Sequence, residues 1–285
     1  MLDKLDIIVA NPAGNTTIFI LSPVPVSEYQ KYADFVLDID FKHGYNINFT
    51  EGNYDKEIKG EQVGFIVSDN TMNMSGLEFC GNASRAFAYY EATKALPAKK
   101  EIDVNVSGCS HPLHAWIDAD NQDAKIQMPL PVKSIRLSSE QLGVAEECPE
   151  LGSSVLVDLD GISHLVLKNV PAEEQLFNKI KDAVYAIDED IPALGVMFID
   201  EATDTMTPVV YVKDVNTTYF EGSCASGTSA AAFVKSMDLP DGIHKMTFKE
   251  PAGTLYTEIT KESGEVTEIR LNGLVELSDV ITLDL

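Results

Sequence analysis

The chain reads as an α+β protein made of two homologous domains, and three features of the sequence lead to that expectation. Cysteines stand at the start of two helical segments, Cys80 in SGLEFCGNASRAFAYYEA and Cys224 in EGSCASGTSAAAFVKS, 144 residues apart (80 to 224) in a chain of 285. Turn glycines keep nearly the same offset: Gly14 in AGNTTIFIL and Gly161 in DGISHLVLK are 147 apart, Gly108 in VNVSGCS and Gly253 in KEPAGTL 145. Landmarks in the same order at one spacing mark an internal repeat of half the chain, too long a period for a solenoid. Helices are few and short β-branched runs many, the pattern of α+β or β-rich domains. The expected boundaries are 1–131 for the repeat carrying Cys80, with 275–285 able to pack on it, and 132–274 for the repeat carrying Cys224. Two such domains facing each other would place one cysteine on each wall of a cleft.

Taken in order, KLDIIVA (4–10) and TTIFILS (16–22) read as a β-hairpin around NPAGN, and Asn15 beside the turn glycine is either a ligand contact or a turn asparagine bonding its own backbone. Ser27 is placed to cap a helix whose stripe Tyr29, Tyr32, Ala33 and Val36 faces the core. Residues 42–60 lack periodicity and read as a surface loop. QVGFIVS (62–68) is a buried strand with Glu61 at its entrance. In the Cys80 helix Ala83, Ala86, Phe87 and Tyr90 recur at helical spacing, giving one buried face. EIDVNVSG, HAWIDAD and AKIQMPLP are strands, and PLPVKS (129–134) is a proline-stiffened crossing between domains. The second half repeats the plan: SSVLVDLDG and SHLVLK as strands, AEEQLFNKIKDAVYAI as an amphipathic helix, then ALGVMFID and TPVVYVKD as strands. After the Cys224 helix come MTFKE, TLYTEIT and VTEIRLNGLVEL as strands, and SDVITLDL is a tail open to either sheet.

Charge and composition exclude several function classes. With 21 basic and 45 acidic residues the net charge is −24, which repels nucleic acid and anionic lipid surfaces. No basic leader with an apolar core and no eighteen-residue apolar run is present, so the expected location is the cytoplasm. Four scattered cysteines do not make a disulfide scaffold, and Pro112 between His111 and His114 argues against a metal site, so none is expected. Cys109 and Cys148 read as structural bystanders.

A cysteine at a helix N-terminus meets free backbone N–H groups and the positive end of the helix dipole, which favour a thiolate and can hold a substrate carboxylate. Two such thiols on opposite faces of one carbon are what inversion of a stereocentre needs: one removes a proton, the other delivers one, and their titrations are coupled. The N–H groups then act as an oxyanion hole for the developing carbanion. No lysine-centred pyridoxal phosphate motif or dinucleotide glycine fingerprint is evident, so a cofactor-independent reaction is inferred.

FCGNASRA resembles the first cysteine motif, and SCASGTSA the second, of the cofactor-independent diaminopimelate epimerase superfamily, and the likeness covers essentially the whole chain. It implies two mirrored domains, each a β-barrel-like sheet around a central helix, with the active site in the cleft. It further implies Cys80 and Cys224 as the catalytic pair, Asn15 and Asn82 as substrate contacts, and the backbone of Gly81, Gly227 and Thr228 as the carboxylate holders. Departures are informative. VNTTYFEGSC lacks the Glu-Arg pair with which diaminopimelate epimerases grip substrate, the second-half Asn-Pro-His element is reduced to Ile162, Ser163 and His164, and Asn82 stands where proline racemases carry histidine.

NPAGNTTIFI, EQVGFI, SGLEFCGNA, VSGCS, QMP and EGSCASGT look like segments, in the same order, of the histidine racemases of staphylopine-type metallophore biosynthesis. This likeness implies interconversion of L- and D-histidine, with Glu61 of EQVGF accepting a hydrogen bond from the imidazole. The expected partner is therefore a small-molecule amino-acid substrate, with a homodimer left open. The alternatives are a racemase for another amino acid, a diaminopimelate epimerase, or an amino-acid binding protein of the same fold; a pure binder has no need of two opposed thiols.

Overall fold

A computed structural model describes residues 2–285 apart from positions 51, 53, 55, 56, 150, 152, 153, 160, 214 and 215. It is an α+β structure in which strands dominate. The chain divides into two compact units, Met1–Gln127 with Ala252–Thr254 and Leu271–Leu285, and Met128–Pro251 with Leu255–Arg270. The sequence expectation set the first boundary at 131 and the return at 275.

The first unit opens with the hairpin β1 (Lys4–Asn11) and β2 (Thr17–Ile20), antiparallel with Ile7 opposite Ile20. Helix α1 (Tyr29–Leu37) leads to β3 (Gln62–Ser68), parallel to β2, and β4 (Thr71–Met74) returns antiparallel to β3. Helix α2 (Gly81–Thr93) then crosses to β5 (Glu101–Val106), parallel to β4, followed by β6 (Leu113–Asp118) and β7 (Asp123–Met128). Parallel neighbours need a crossover, and each of these helices supplies one.

The second unit runs β8 (Lys133–Leu137), β9 (Ser154–Asp158), β10 (Ser163–Lys168), α3 (Glu174–Ile187), β11 (Ala193–Asp200), β12 (Thr205–Val212), β13 (Thr217–Phe220), α4 (Ala225–Ser236), β14 (Gly242–Glu250), β15 (Gly253–Glu262) and β16 (Glu265–Leu274). Its pairings follow the same order as those of the first unit. β9/β10 is antiparallel, β10/β11 parallel across α3, β11/β12 antiparallel and β12/β14 parallel across α4. The chain ends with β17 (Glu276–Leu277) and β18 (Ile281–Asp284), both antiparallel to β1, so the tail joins the first sheet. Strands β4, β8 and β13 escaped the sequence reading because four- or five-residue segments such as TMNM and TTYF carry too little alternation to register. Positions 153 and 160 of the expected strand SSVLVDLDG lie outside the described residues.

Helix α1 buries Tyr29, Tyr32, Ala33 and Val36 among Leu5, Ile7, Ile18, Ile20 and Val63, with the Tyr29 and Phe65 rings stacked 3.7 Å apart. Ser27 does not cap it. That residue lies inside a one-turn 3-10 helix (Val26–Glu28) closed by the Glu28 N–H on the Pro25 carbonyl, and α1 begins after Glu28 with no side-chain cap. The described residues between 42 and 60 are irregular, yet several of them cover the same core: Ile58 is buried, and Tyr45, Ile47, Phe49 and Tyr54 pack on it.

Helix α2 corrects the one-face expectation. Gly81 to Tyr89, Glu91 and Ala92 are all buried, because β5 and β6 lie against the helix and the returning chain closes over it. The buried Arg85 guanidinium donates to the carbonyls of Gly273 and Leu274 there. Its small residues, Gly81, Ala83, Ser84, Ala86 and Ala88, leave room for backbone on every side. Helix α4 is equally small and buried, from Gly227 and Thr228 through Ala230, Ala231 and Ala232.

Candidate active site

Both cysteines occupy the N-cap of a buried helix with nearly the same backbone, φ −127° and ψ 111° at Cys80, φ −134° and ψ 101° at Cys224. The residue four positions on locks each turn twice. Ser84 donates its N–H (2.9 Å) and its hydroxyl (2.7 Å) to the Cys80 carbonyl, and Thr228 donates its N–H (2.8 Å) and its hydroxyl (2.7 Å) to the Cys224 carbonyl. Those bonds leave the N–H groups of the first turn pointing out of each helix end, the arrangement that binds an anion. Neither cysteine is in a disulfide.

The loop before Cys80 is braced from β5. The Ser107 hydroxyl donates to the Glu78 carbonyl and accepts the Met74 N–H, each at 2.8 Å. Gly108, at φ +75°, lies so close that an added Cβ would meet the Phe79 nitrogen at 2.3 Å. Gly81 and Asn82 follow Cys80 into the first turn of α2, both buried.

The parallel register of β2 and β3 brings Glu61 against Thr16, the residue after Asn15, and the Glu61 N–H donates to the Thr16 carbonyl at 2.8 Å. Asn15 is buried, and its side-chain oxygen finds no partner among the described residues. That orphan acceptor favours a ligand contact over the self-bonded turn asparagine, since buried polar groups are normally satisfied. The loop holding it is fixed by a buried network: Asn11 accepts the Gly14 N–H (2.7 Å) and donates to Glu276 (2.8 Å), which also takes the N–H and hydroxyl of Thr50. Glu61 is exposed, yet enough protein surrounds its carboxyl to push it up to about 7; contact with solvent limits that rise.

Around Cys224 the surroundings differ from the sequence expectation of a stabilised thiolate. Burial, with Glu221 and Glu250 adding repulsion, pushes this thiol well above the ordinary range, outweighing the bonds from Ser226 and the Gly227 N–H. A Cβ added at Gly227 would come within 2.1 Å of the Met197 sulfur, near the flexible end of that side chain, and 3.2 Å of the Cys224 sulfur. Three residues were missed by sequence reasoning as members of the site. Glu250 accepts the Cys224 N–H at 2.6 Å and bonds the Thr228 hydroxyl. Ser226 places its hydroxyl 3.6 Å from the Cys224 sulfur and 2.9 Å from Nε2 of His164, a fully buried imidazole that burial holds down to about 3. Ser226, two residues after the cysteine, could have been flagged by proximity; Glu250, twenty-six residues on and ending a strand, carries no local signal.

Burial raises the Cys109 thiol to about 11, and Cys148 is raised by burial while packing on the second core. His114 bonds Asp103 at 2.7 Å on an exposed strand face.

The family described as histidine racemase CntK N-terminal domain matches residues 4–280. The chain belongs to this family. Its relatives include a protein named histidine racemase from Fusobacterium nucleatum subsp. nucleatum (strain ATCC 25586), 37% identical over 232 residues, or 80% of each chain. Another of the same name from Staphylococcus aureus (strain Mu50) is 26% identical over 86% of this chain and 85% of its own. Among solved structures the fold is shared with a predicted epimerase from Pseudomonas aeruginosa (TM-score 0.64, 12% identity, covering 98% and 99% of the two chains). It is shared also with a phenazine biosynthesis PhzC/PhzF protein from Clostridium difficile (strain 630; TM-score 0.61, 14% identity, 99% and 100%). No described helix is long and apolar enough to cross a membrane.

Proposed function

We propose that this chain is a cofactor-independent histidine racemase in which Cys80 and Cys224 each serve one face of the substrate Cα. The observation that carries the reading is the duplicated N-cap: two thiols with matching backbone angles, each locked by a hydroxyl residue four positions on, in a member of the histidine racemase family. The matching order of strand pairings supports two copies of one domain, each a barrel-like sheet around its buried helix, α2 or α4. In this scheme the backbone N–H groups at Gly81 and Gly227 bind the carboxylate and take up charge as the carbanion forms, whereas the Thr228 N–H, expected to join them, is spent on the Cys224 carbonyl. Asn15 and Asn82 orient the substrate, and Glu61 accepts the imidazole N–H. Cys224, resting as a thiol, delivers a proton to one face while Cys80 takes one from the other; the roles exchange in the reverse direction.

The test is incubation of the reduced, cofactor-free protein with L-histidine in D₂O, following optical rotation and deuterium at Cα, alongside meso-diaminopimelate and other L-amino acids. Racemisation with exchange for histidine alone is expected. Exchange with a different amino acid would discard histidine and keep the thiol pair, and no exchange with any of them would discard the reaction.

A further inference from the structure

The hydroxyl of Thr228 has one proton and two partners. It lies 2.7 Å from the Cys224 carbonyl oxygen, which can only accept, and in bonding contact with Glu250 Oε1. If the proton goes to the carbonyl, the Glu250 contact needs a proton from the carboxyl; if it goes to a carboxylate, two bare oxygens face each other at 2.7 Å. The other carboxyl oxygen, Oε2, already accepts the Cys224 N–H. We infer that Glu250 is held as the neutral acid in a closed ring, its O–H donating to Thr228, Thr228 to the Cys224 carbonyl, and the Cys224 N–H back to Glu250. Glu250 is thereby a positioning residue for Cys224. It fixes the N-cap from which the thiol projects without placing a full negative charge at a helix end that receives a carboxylate.

Other groups around the ring agree with a neutral acid. Burial pushes the Glu250 carboxyl up to about 8, with Glu221 adding to the rise. The titratable groups that act on it are Glu221 and the Cys224 thiol; His164, reached through Ser226, is neutral. The lysines on its own strand and on α4 are engaged elsewhere, Lys245 with Glu258 at 3.5 Å, Lys249 with the Thr203 carbonyl at 3.4 Å and Lys235 with Asp204 at 3.7 Å. Above its midpoint Glu250 loses the proton that closes the ring, Thr228 turns its hydrogen toward the carboxylate, and a charge appears beside Cys224. The inference rests on Cys224 being one of the two acid/base groups, and it gives that group an alkaline control.

The experiment reads protonation without turnover. Infrared spectra of the reduced protein labelled with ¹³C-glutamate are compared with those of Glu250→Gln, whose amide can keep both ring bonds with no charge. In parallel, ultraviolet thiolate absorbance is titrated in each protein with and without Cys224→Ser. The expected result is a protonated carboxyl band at pH 7 that is absent in Glu250→Gln and disappears near pH 8. At pH 9 the Cys224 thiolate fraction should be about threefold or more higher in Glu250→Gln than in the unsubstituted protein. An ionised Glu250 at pH 7, or a Cys224 titration unmoved by Glu250→Gln, would overturn the inference; should that variant not fold, the pH course of the band in the unsubstituted protein decides alone. Failure of histidine racemisation in the D₂O experiment would instead reject the functional reading, leaving these titrations as a separate result.

Discussion

The backbone N–H of Cys224 donates to the buried carboxyl of Glu250 over 2.6 Å, so a residue twenty-six positions away along the chain sets the start of the helix that presents the thiol. Cys80 has its own brace, the Ser107 hydroxyl on the Glu78 carbonyl. Each helix start that carries a thiol therefore depends on a residue at or just past the end of a strand that follows its helix.

Replacing either cysteine of the pair with serine should abolish racemisation, lowering turnover by at least about a thousandfold, because a hydroxyl is far too weak an acid for the same exchange. Cys109→Ser and Cys148→Ser should keep most of it. Chiral separation of D- and L-histidine measures both; a loss at Cys109 equal to that at Cys80 would mean the pair is misassigned.

Ser226→Ala removes the hydroxyl between the Cys224 sulfur and the buried His164. The Cys224 thiolate should become harder to form and turnover fall about tenfold, since one hydrogen bond to a charged group contributes roughly 1.5–3 kcal/mol. Thiolate absorbance separates this from misfolding: a variant with reduced activity and an unchanged Cys224 titration would contradict the role.

Stability should vary with pH in a defined way. His164, held near 3 in the folded chain against an ordinary 6.5, is protonated preferentially in the unfolded chain, so stability is lost as pH falls from about 6.5 toward 3. Glu250, raised to about 8, keeps its proton preferentially in the folded chain, so stability is lost as pH rises from its ordinary 4.5 toward 8. Each contributes a slope of at most ~1.4 kcal/mol per pH unit. Urea unfolding across pH should show Glu250→Gln losing the decline between 6.5 and 8; an unchanged decline would assign it to another group.

Gly14 stands at φ +91°, where an added Cβ would meet the Ala252 side chain at 2.3 Å. Gly14→Ala should cost roughly 2–4 kcal/mol from backbone strain and overlap together. Because Asn15 follows directly, the KM for histidine should rise as well. A midpoint of denaturation within error of the unsubstituted chain would show that the contact yields freely.

Glu61→Gln tests recognition of the side chain. If the carboxylate accepts the imidazole N–H, KM for histidine should rise several-fold and the preference over other amino acids should narrow. Unchanged kinetics on every substrate would remove Glu61 from the site.

By itself the sequence determined the features that are local and periodic. Alternation placed most strands, the apolar stripe placed α1, and the two glycine- and cysteine-marked turns located both helix starts. These are readable because side-chain spacing and turn chemistry act within a few residues. Equal spacing of glycines, however, did not mean equal roles: Gly253 packs on the Ala13 carbonyl, Gly14 faces Ala252, and among the described residues nothing lies within 4 Å of a Cβ added at Gly161. Only tertiary structure decided what surrounds α2 on every side, that Tyr45, Ile47, Phe49, Tyr54 and Ile58 cover a core, and that His164, Ser226 and Glu250 converge on Cys224. The physical reason is range. Burial and the partners of a buried polar group are set by residues distant in the chain, and those partners, more than the helix end itself, govern the proton on a thiol.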